Sequence, residues 1–331
     1  MCAIKLNPDP MPEHGLPSIE SFGFVSFGRR RARKRIAQFL TRWRWPLPRQ
    51  VDISADALKT ARGIRGEQRQ PVIMVHGVTQ RSGTVYVSEL LRLHPDVCAF
   101  PRELWEVPFL NVAEDIRRVQ SRFLSLYPPN KAAMGKDDFL PVFGASFIAY
   151  LHAVAPQSQR ILLKIPDVSR LSYFPYVFPF ELPLLLLRDG RDVVQSAVHT
   201  WPQVRFADAC EYWNANARIM LTLERRYADR GWRIFRFEDA AVQPNEFVRD
   251  ACQYSQLDPA RYPFDRIAEV SVRGSSVARR DGRVTWDPIG KPAGFNPVGR
   301  WQNWTASQRR TFKRIAGQTL IEAGYTDDDN W

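Results

Sequence analysis

The sequence predicts an α/β protein whose mainly parallel sheet is covered by helices on both faces. Three observations lead there. Apolar runs of strand length lie at 71–78, 161–165 and Leu182–Leu187, and an alternating fourth run lies at 232–237. Helical patterns follow or separate them at 84–93, 145–154, 189–199, 206–230 and 306–323. Strands that alternate with helices pair in parallel, because each crossover helix returns the chain to the same end of the sheet. With 331 residues and 44% hydrophobic content, the chain is long enough to bury the core this fold needs.

The first 70 residues read differently, so the expected organisation is an extension over 1–70 and one domain over 71–331. Pro8, Pro10 and Pro12 open the extension, and six cations crowd into the seven residues from Arg29 to Arg35. If 30–43 is helical, Ile36, Phe39, Leu40 and Trp43 form an apolar stripe opposite that basic face. Two readings stay open for residues 29–45: a peripheral contact with an anionic membrane, or a helix docked on its own domain with solvated arginines. No apolar signal segment precedes this stretch, and no apolar run is long enough to span a bilayer, so a cytoplasmic protein is expected. The four cysteines show no CxxC spacing, which suits a reducing compartment.

A net charge of +12 attracts anions. Two turns are built to receive them. The first, Gly77 to Thr84, joins a strand to a helix, so backbone N–H groups and the helix dipole converge there. Gly83 lets the backbone come close, the Ser82 and Thr84 hydroxyls are donors, and Arg81 adds a permanent charge. No lysine precedes Thr84, which makes an ATP-binding P-loop a poor fit. The second turn follows Leu182–Leu187, where Arg188, Arg191 and Ser196 gather at a strand's carboxyl end; ion pairing with Asp189 or Asp192 is the plainer account of those arginines. Two anion sites on one sheet suit a nucleotide phosphorylated at both ends.

With these residues in place, the chain resembles the sulfotransferases that use 3′-phosphoadenosine-5′-phosphosulfate (PAPS). Residues 71–109 are similar to that family's 5′-phosphosulfate region, through Arg81-Ser82-Gly83-Thr84 and Leu93-His94-Pro95-Asp96-Val97. Residues 184–196 resemble its 3′-phosphate segment, Phe235-Arg236-Phe237-Glu238-Asp239 the acidic step that follows, and Val298 to Trp304 its C-terminal Gly-x-Trp segment. Val272 to Ser276 sits where such enzymes place a loop over the nucleotide. The resemblance covers about residues 70–323 and implies a P-loop-like three-layer fold that binds PAPS without a metal. It assigns Arg81, Ser82, Gly83 and Thr84 to the phosphosulfate and Arg188 and Ser196 to the 3′-phosphate, with Arg273 and Arg300 as further candidates for the latter.

The same resemblance places Lys164, in Lys164-Ile165-Pro166, beside the transferring group. Small-molecule sulfotransferases carry a histidine base where this chain has Pro166. Glycan and protein sulfotransferases use a glutamate instead, and Glu103, six residues past Val97, has the heparan sulfate sulfotransferase spacing. Glu103 is therefore the expected base, with Glu106 and Asp167 as alternatives, and the expected acceptor is a hydroxyl on a glycan, glycolipid or protein. The histidines offer no metal spacing, and Trp301 and Trp304 read as core aromatics. The rivals are a P-loop kinase and a basic protein that binds nucleic acid or anionic membrane, with nucleic acid the less favoured partner.

Overall fold

In a computed structural model of the chain, the described residues are 51–99, 104, 106–155, 160–275, 279–280, 283–284, 287–291 and 294–331. The amphipathic segment expected at 29–45 and the expected base Glu103 lie outside them.

Strand β1 (Ile73–Gly77) is the centre of a five-stranded parallel sheet. It pairs with β3 (Arg160–Ile165) on one side and β4 (Leu182–Leu187) on the other, while β2 (Val97–Ala99) and β5 (Ile234–Arg236) form the edges. Successive residues of a strand face opposite sides. Accordingly Ile73, Val75, Leu162, Leu184 and Leu186 join one hydrophobic cluster, and Met74, Ile161, Leu163, Leu185 and Leu187 join the other. Burial on both faces is why these strands read as unbroken apolar runs.

The helices follow in chain order: α1 (Ala55–Arg65), α2 (Thr84–Leu91), α3 (Ala113–Leu126), α4 (Phe139–Val154), α5 (Phe174–Val177), α6 (Gly190–Thr200), α7 (Phe206–Arg226), α8 (Phe237–Val242), α9 (Pro244–Tyr254) and α10 (Ala306–Glu322). Val87, Leu90 and Leu91 of α2 and Phe247 and Val248 of α9 cover one face of the sheet. Leu140 and Ile148 of α4, Val193 of α6, Trp213 of α7 and Phe312 of α10 cover the other. This is the three-layer, P-loop-like α/β fold.

Handedness explains the division. The connection from β1 to β2 and that from β4 to β5 run in opposite directions across the sheet, and right-handed crossovers then put α2 and the pair α6 and α7 on opposite faces. The chain thus leaves β1 and β4 to opposite sides and opens a crevice between their carboxyl ends, the usual ligand position in such sheets.

Strand β2 and helices α1, α3, α5, α8 and α9 have no counterpart among the expected elements, and α4 starts earlier than expected. Strand β2 has three residues, too few for a periodic signal. Helix α4 begins at Phe139, before the expected 145, because Pro141 sits in the first turn, where its missing N–H costs no helical bond. The expected loop at 272–276 and the segment beyond it to 298 carry pairing of their own: Val272 and Ile289 exchange both backbone hydrogen bonds and Arg279–Arg280 pairs with Arg283–Val284.

Residues 51–70 are tied to the sheet and its helices. Ser54 caps α1 by accepting from Ala57 N, and both its N–H and its hydroxyl donate to the Asp138 carboxylate, at 2.7 and 2.8 Å. At the other end of α1, Arg65 Nε lies 2.7 Å from Glu181 Oε1, with both side chains buried, and Glu181 Oε2 also accepts from Val72 N at the entry to β1. Removing one partner strands an ion in the core. Arg65→Ala is therefore expected to cost about 3–5 kcal/mol, read from the urea midpoint. A loss below about 1 kcal/mol, the range of an exposed pair, would show that water replaces the guanidinium.

Candidate active site

The turn after β1 is held by its own side chains. Val78 N donates to Leu186 O on β4 at 2.9 Å. Ser82 Oγ accepts from Thr79 N at 3.0 Å and donates to Thr79 O at 2.6 Å, so this hydroxyl, expected to face an anion, closes the turn instead. On either side of Ser82, Arg81 and Gly83 adopt left-handed φ values of 76° and 88°. Only glycine fits at position 83, since a Cβ there would come within 2.2 Å of the Phe237 ring. Thr84 opens α2, whose first N–H groups have no acceptor within the helix and point out of its positive end.

The second turn reaches into the first through Arg188. Its Nη1 donates to Arg81 O at 2.8 Å and its Nη2 to Pro297 O at 2.6 Å, and the guanidinium lies 4.4 Å from the Phe237 ring centre. From beneath, Trp213 Nε1 donates to Arg188 O. Arg81 answers across the crevice: its Nε donates to Ser196 Oγ at 3.1 Å and its Nη2 to Gly274 O. Arg300 belongs to the same group. Asp192 fixes it there by accepting from Gly299 N at 2.7 Å and Trp301 N at 3.3 Å.

Arg81, Ser82, Gly83, Thr84, Arg188, Ser196 and Arg300 thus meet at one crevice, and Arg273 adjoins it through Gly274. The cations crowd one another. Burial, then Arg188, then Arg300 push the Arg81 pKa down to about 10. Burial and Arg188 also lower that of Arg300, against Asp192. Burial lowers that of Arg188, although Asp192, Glu238 and Asp189 oppose it. Moreover, Arg188 Nε and Arg273 Nε are buried without a hydrogen-bond partner. Unpaired buried donors among mutually repelling cations fit a multiply charged anion, and the donor set suits the phosphate and phosphosulfate groups of PAPS.

Arg191, by contrast, is structural. It pairs with Asp189 at 2.7 Å and lies between the rings of Trp301 and Trp331, at 4.0 and 4.7 Å. Trp304 is buried and donates to Gln195 Oε1, so both tryptophans serve the core. His94 is also structural: its Nδ1 accepts from Asp96 N and its Nε2 faces Asp258 O at 3.0 Å.

On the other side of β1, Lys164 pairs in register with Val75. Its Nζ lies 3.5 Å from Glu106 Oε1; burial lowers its pKa and Glu106 opposes that shift. The Glu106 side chain is 51% exposed, so an acceptor can reach it. Asp167 is more confined, since Oδ1 accepts from Ser169 N and Oδ2 from Gln80 Nε2, and burial raises its pKa. Three contributors lie in segments noted in the sequence but were not assigned there to the site: Phe237, which fills the space above Gly83; Asp192, which anchors 299–301; and Glu238, which accepts from Asp189 N and from the Tyr325 hydroxyl.

The model of the sulfotransferase family matches residues 71–260. Among solved structures, the sulfotransferase domain of the Synechococcus PCC 7002 olefin synthase is similar at 18% identity over 79% of this chain and 98% of its own, with a TM-score of 0.45. A sulfotransferase from Alicyclobacillus acidocaldarius is similar at 15% identity over 77% and 95%, with a TM-score of 0.41. Retinol dehydratase in a complex with retinol and PAP is similar at 16% identity over 86% and 90%, with a TM-score of 0.38. No curated protein matches. The family assignment rests on the family model, which spans more than half of the chain and includes both anion-binding turns: the chain belongs to the sulfotransferase family.

Proposed function

We propose that this protein moves a sulfuryl group from PAPS to a hydroxyl of a glycan, glycolipid or protein in the cytoplasm. One observation carries the reading: Arg81, Arg188 and Arg300 are pressed together at the ends of β1 and β4, and two guanidinium nitrogens beside them are buried without a partner. When bound, PAPS supplies an activated sulfuryl group.

Arg81, Gly83, Thr84 and the first N–H groups of α2 hold the phosphosulfate, and Ser82 holds the shape of their turn. Arg188, Ser196, Arg273 and Arg300 hold the 3′-phosphate. Lys164 offsets negative charge at the transferring group, much as fixed cations do in phosphoryl transfer. Glu103 takes the acceptor's proton. Burial and hydrogen bonding tune a carboxyl for that task. Neighbouring Glu106, held to Lys164, supports a carboxylate on this side of the crevice.

Adenosine 3′,5′-bisphosphate should bind in the absence of divalent metal, and Arg188→Ala should weaken it at least about 100-fold, since charge-assisted bonds are lost. Calorimetry decides this, and tighter binding of ATP with magnesium would favour a kinase. Glu103→Gln should lower transfer from labelled PAPS by about 10²- to 10⁴-fold with bisphosphate affinity kept. Full turnover in that variant would remove Glu103 as the base.

A peripheral contact between residues 29–45 and anionic membrane is part of the same proposal, since the charge there exceeds anything else in the sequence. Among the described residues no helix is long and apolar enough to cross a membrane. Sedimentation with phosphatidylserine vesicles should be lost in 0.5 M salt, on the order of a 4 Å screening length, and in a chain lacking 1–50. Equal sedimentation with neutral vesicles would defeat the idea.

A further inference from the structure

The side chain of Gln80, next to Arg81, is held at both ends. Tyr212 on α7 donates its hydroxyl to Gln80 Oε1 at 2.6 Å, and Gln80 Nε2 donates to Asp167 Oδ2 at 3.3 Å. Asp167 is three residues beyond Lys164 on the chain leaving β3, and its other carboxylate oxygen is fixed by Ser169 N at 2.8 Å. One amide therefore joins the turn after β1, the segment after β3 and a helix on the far side of the sheet. Nothing in the binding of an anion at Arg81–Thr84 calls for that link.

The turn does not need Gln80 to keep its shape. Ser82 closes it onto Thr79, Val78 is bonded to Leu186, and Arg188 holds Arg81 O. All of these bonds lie within the turn or reach toward β4. Among the described residues, the turn's side-chain hydrogen bond toward the Lys164 side comes from Gln80, just before a residue held at φ 76°. An arginine in that region costs about 1–2 kcal/mol and stays there only when its neighbours fix it.

We propose that Gln80, clamped by Tyr212 and Asp167, is a positioning residue that sets the distance and angle between the donor-binding turn and Lys164. The inference rests on the sulfuryl-transfer reading above. It separates two properties: donor affinity, which depends on the arginines and the turn, and turnover, which depends on where the turn sits relative to Lys164. Small misplacements of reacting groups cost rate far more than binding.

The charge environment offers a second signature. Asp167 Oδ2 faces the Gln80 amide, Glu106 and Asp167 both act on Tyr212, and His76 Nδ1 lies 3.4 Å from Asp167 O. Burial pushes the His76 pKa down to about 4, so this ring stays neutral near neutral pH. In Gln80→Glu, a second carboxyl would face Asp167. The pair repels when both are ionised and holds together when it shares one proton, as the amide and carboxylate do in the native protein.

The experiment measures acceptor-independent release of labelled sulfate from PAPS, with bisphosphate affinity measured alongside. In Gln80→Ala, kcat should fall about ten- to a hundredfold while bisphosphate Kd stays within about threefold. Tyr212→Phe, which removes the bond to Gln80 and little volume, should lower kcat about three- to tenfold. Gln80→Glu should be impaired at high pH and recover as pH falls and the pair takes up its proton, a limb the native protein lacks. An unchanged kcat in Gln80→Ala, or a loss of affinity equal to the loss of kcat, overturns the clamp; if that variant does not fold, Tyr212→Phe decides by the same criteria. A native protein that binds the bisphosphate yet transfers no sulfuryl group from PAPS, either to water or to glycan, glycolipid or protein hydroxyls, overturns the functional reading and the clamp with it, whereas native turnover indifferent to Gln80 overturns the clamp alone.

Discussion

A buried guanidinium at the end of β4 joins the two halves of the crevice. Arg188 donates to the Arg81 carbonyl of the first turn and to the Pro297 carbonyl of the C-terminal segment, with its face against Phe237. Burying a cation is expensive unless its charge and donors are matched. Asp192, Glu238 and Asp189 supply opposing charge, yet Arg81 and Arg300 add like charge close by and Nε keeps no partner. What is left over is an unpaired buried donor among crowded cations, fixed in place before any ligand arrives. Donors that need no rearrangement to meet an anion lose little when they bind it.

The packing around Arg188 follows from the need to hold it there. Phe237, at the start of α8, is covered by Arg188 on one side and approaches Gly83 so closely that no side chain fits at position 83. Gly190 similarly leaves room for the indole of Trp213, whose Nε1 reaches the Arg188 carbonyl. Two glycines in the anion-binding turns are thus set by aromatic rings as much as by the ligand. Asp192 then carries the same support to the C-terminal segment, because its two oxygens hold the backbone on both sides of Arg300.

Much of this was readable in the sequence because buried parallel strands have a strong local signature and their turns concentrate glycine, serine and arginine. Strand order was not in that signal; it came from pairing among segments far apart in the chain. Ser82 shows a finer limit. Its place in Arg-Ser-Gly-Thr marked it as an anion donor, whereas the bond to Thr79 is a property of the turn's path, which residue identity alone does not give. Gln80, Asp167 and Tyr212 lie 87 and 132 positions apart along the chain and have ordinary polar side chains, so their meeting is visible only after folding. Trp301 was legible as a core residue, but its role as a stacking surface for Arg191 was not.

The sheet itself supplies the geometry that side chains then refine. Because β1 lies between β3 and β4, Lys164 and Arg188 come from strands on either side of the donor-binding turn, two strand spacings apart, or roughly 10 Å. Backbone hydrogen bonds fix that separation, and no single side-chain change alters it. Register is equally firm, since Val75 pairs with both Lys164 and Leu184. What remains adjustable is the turn above β1. It is braced toward β4 by Val78 and by Arg188, which secures the nucleotide's position, and toward β3 by Gln80, which fixes where the reactive end meets Lys164. A rigid frame with one adjustable turn, braced separately on its binding and reacting sides, lets donor affinity and catalytic alignment vary independently in sequence.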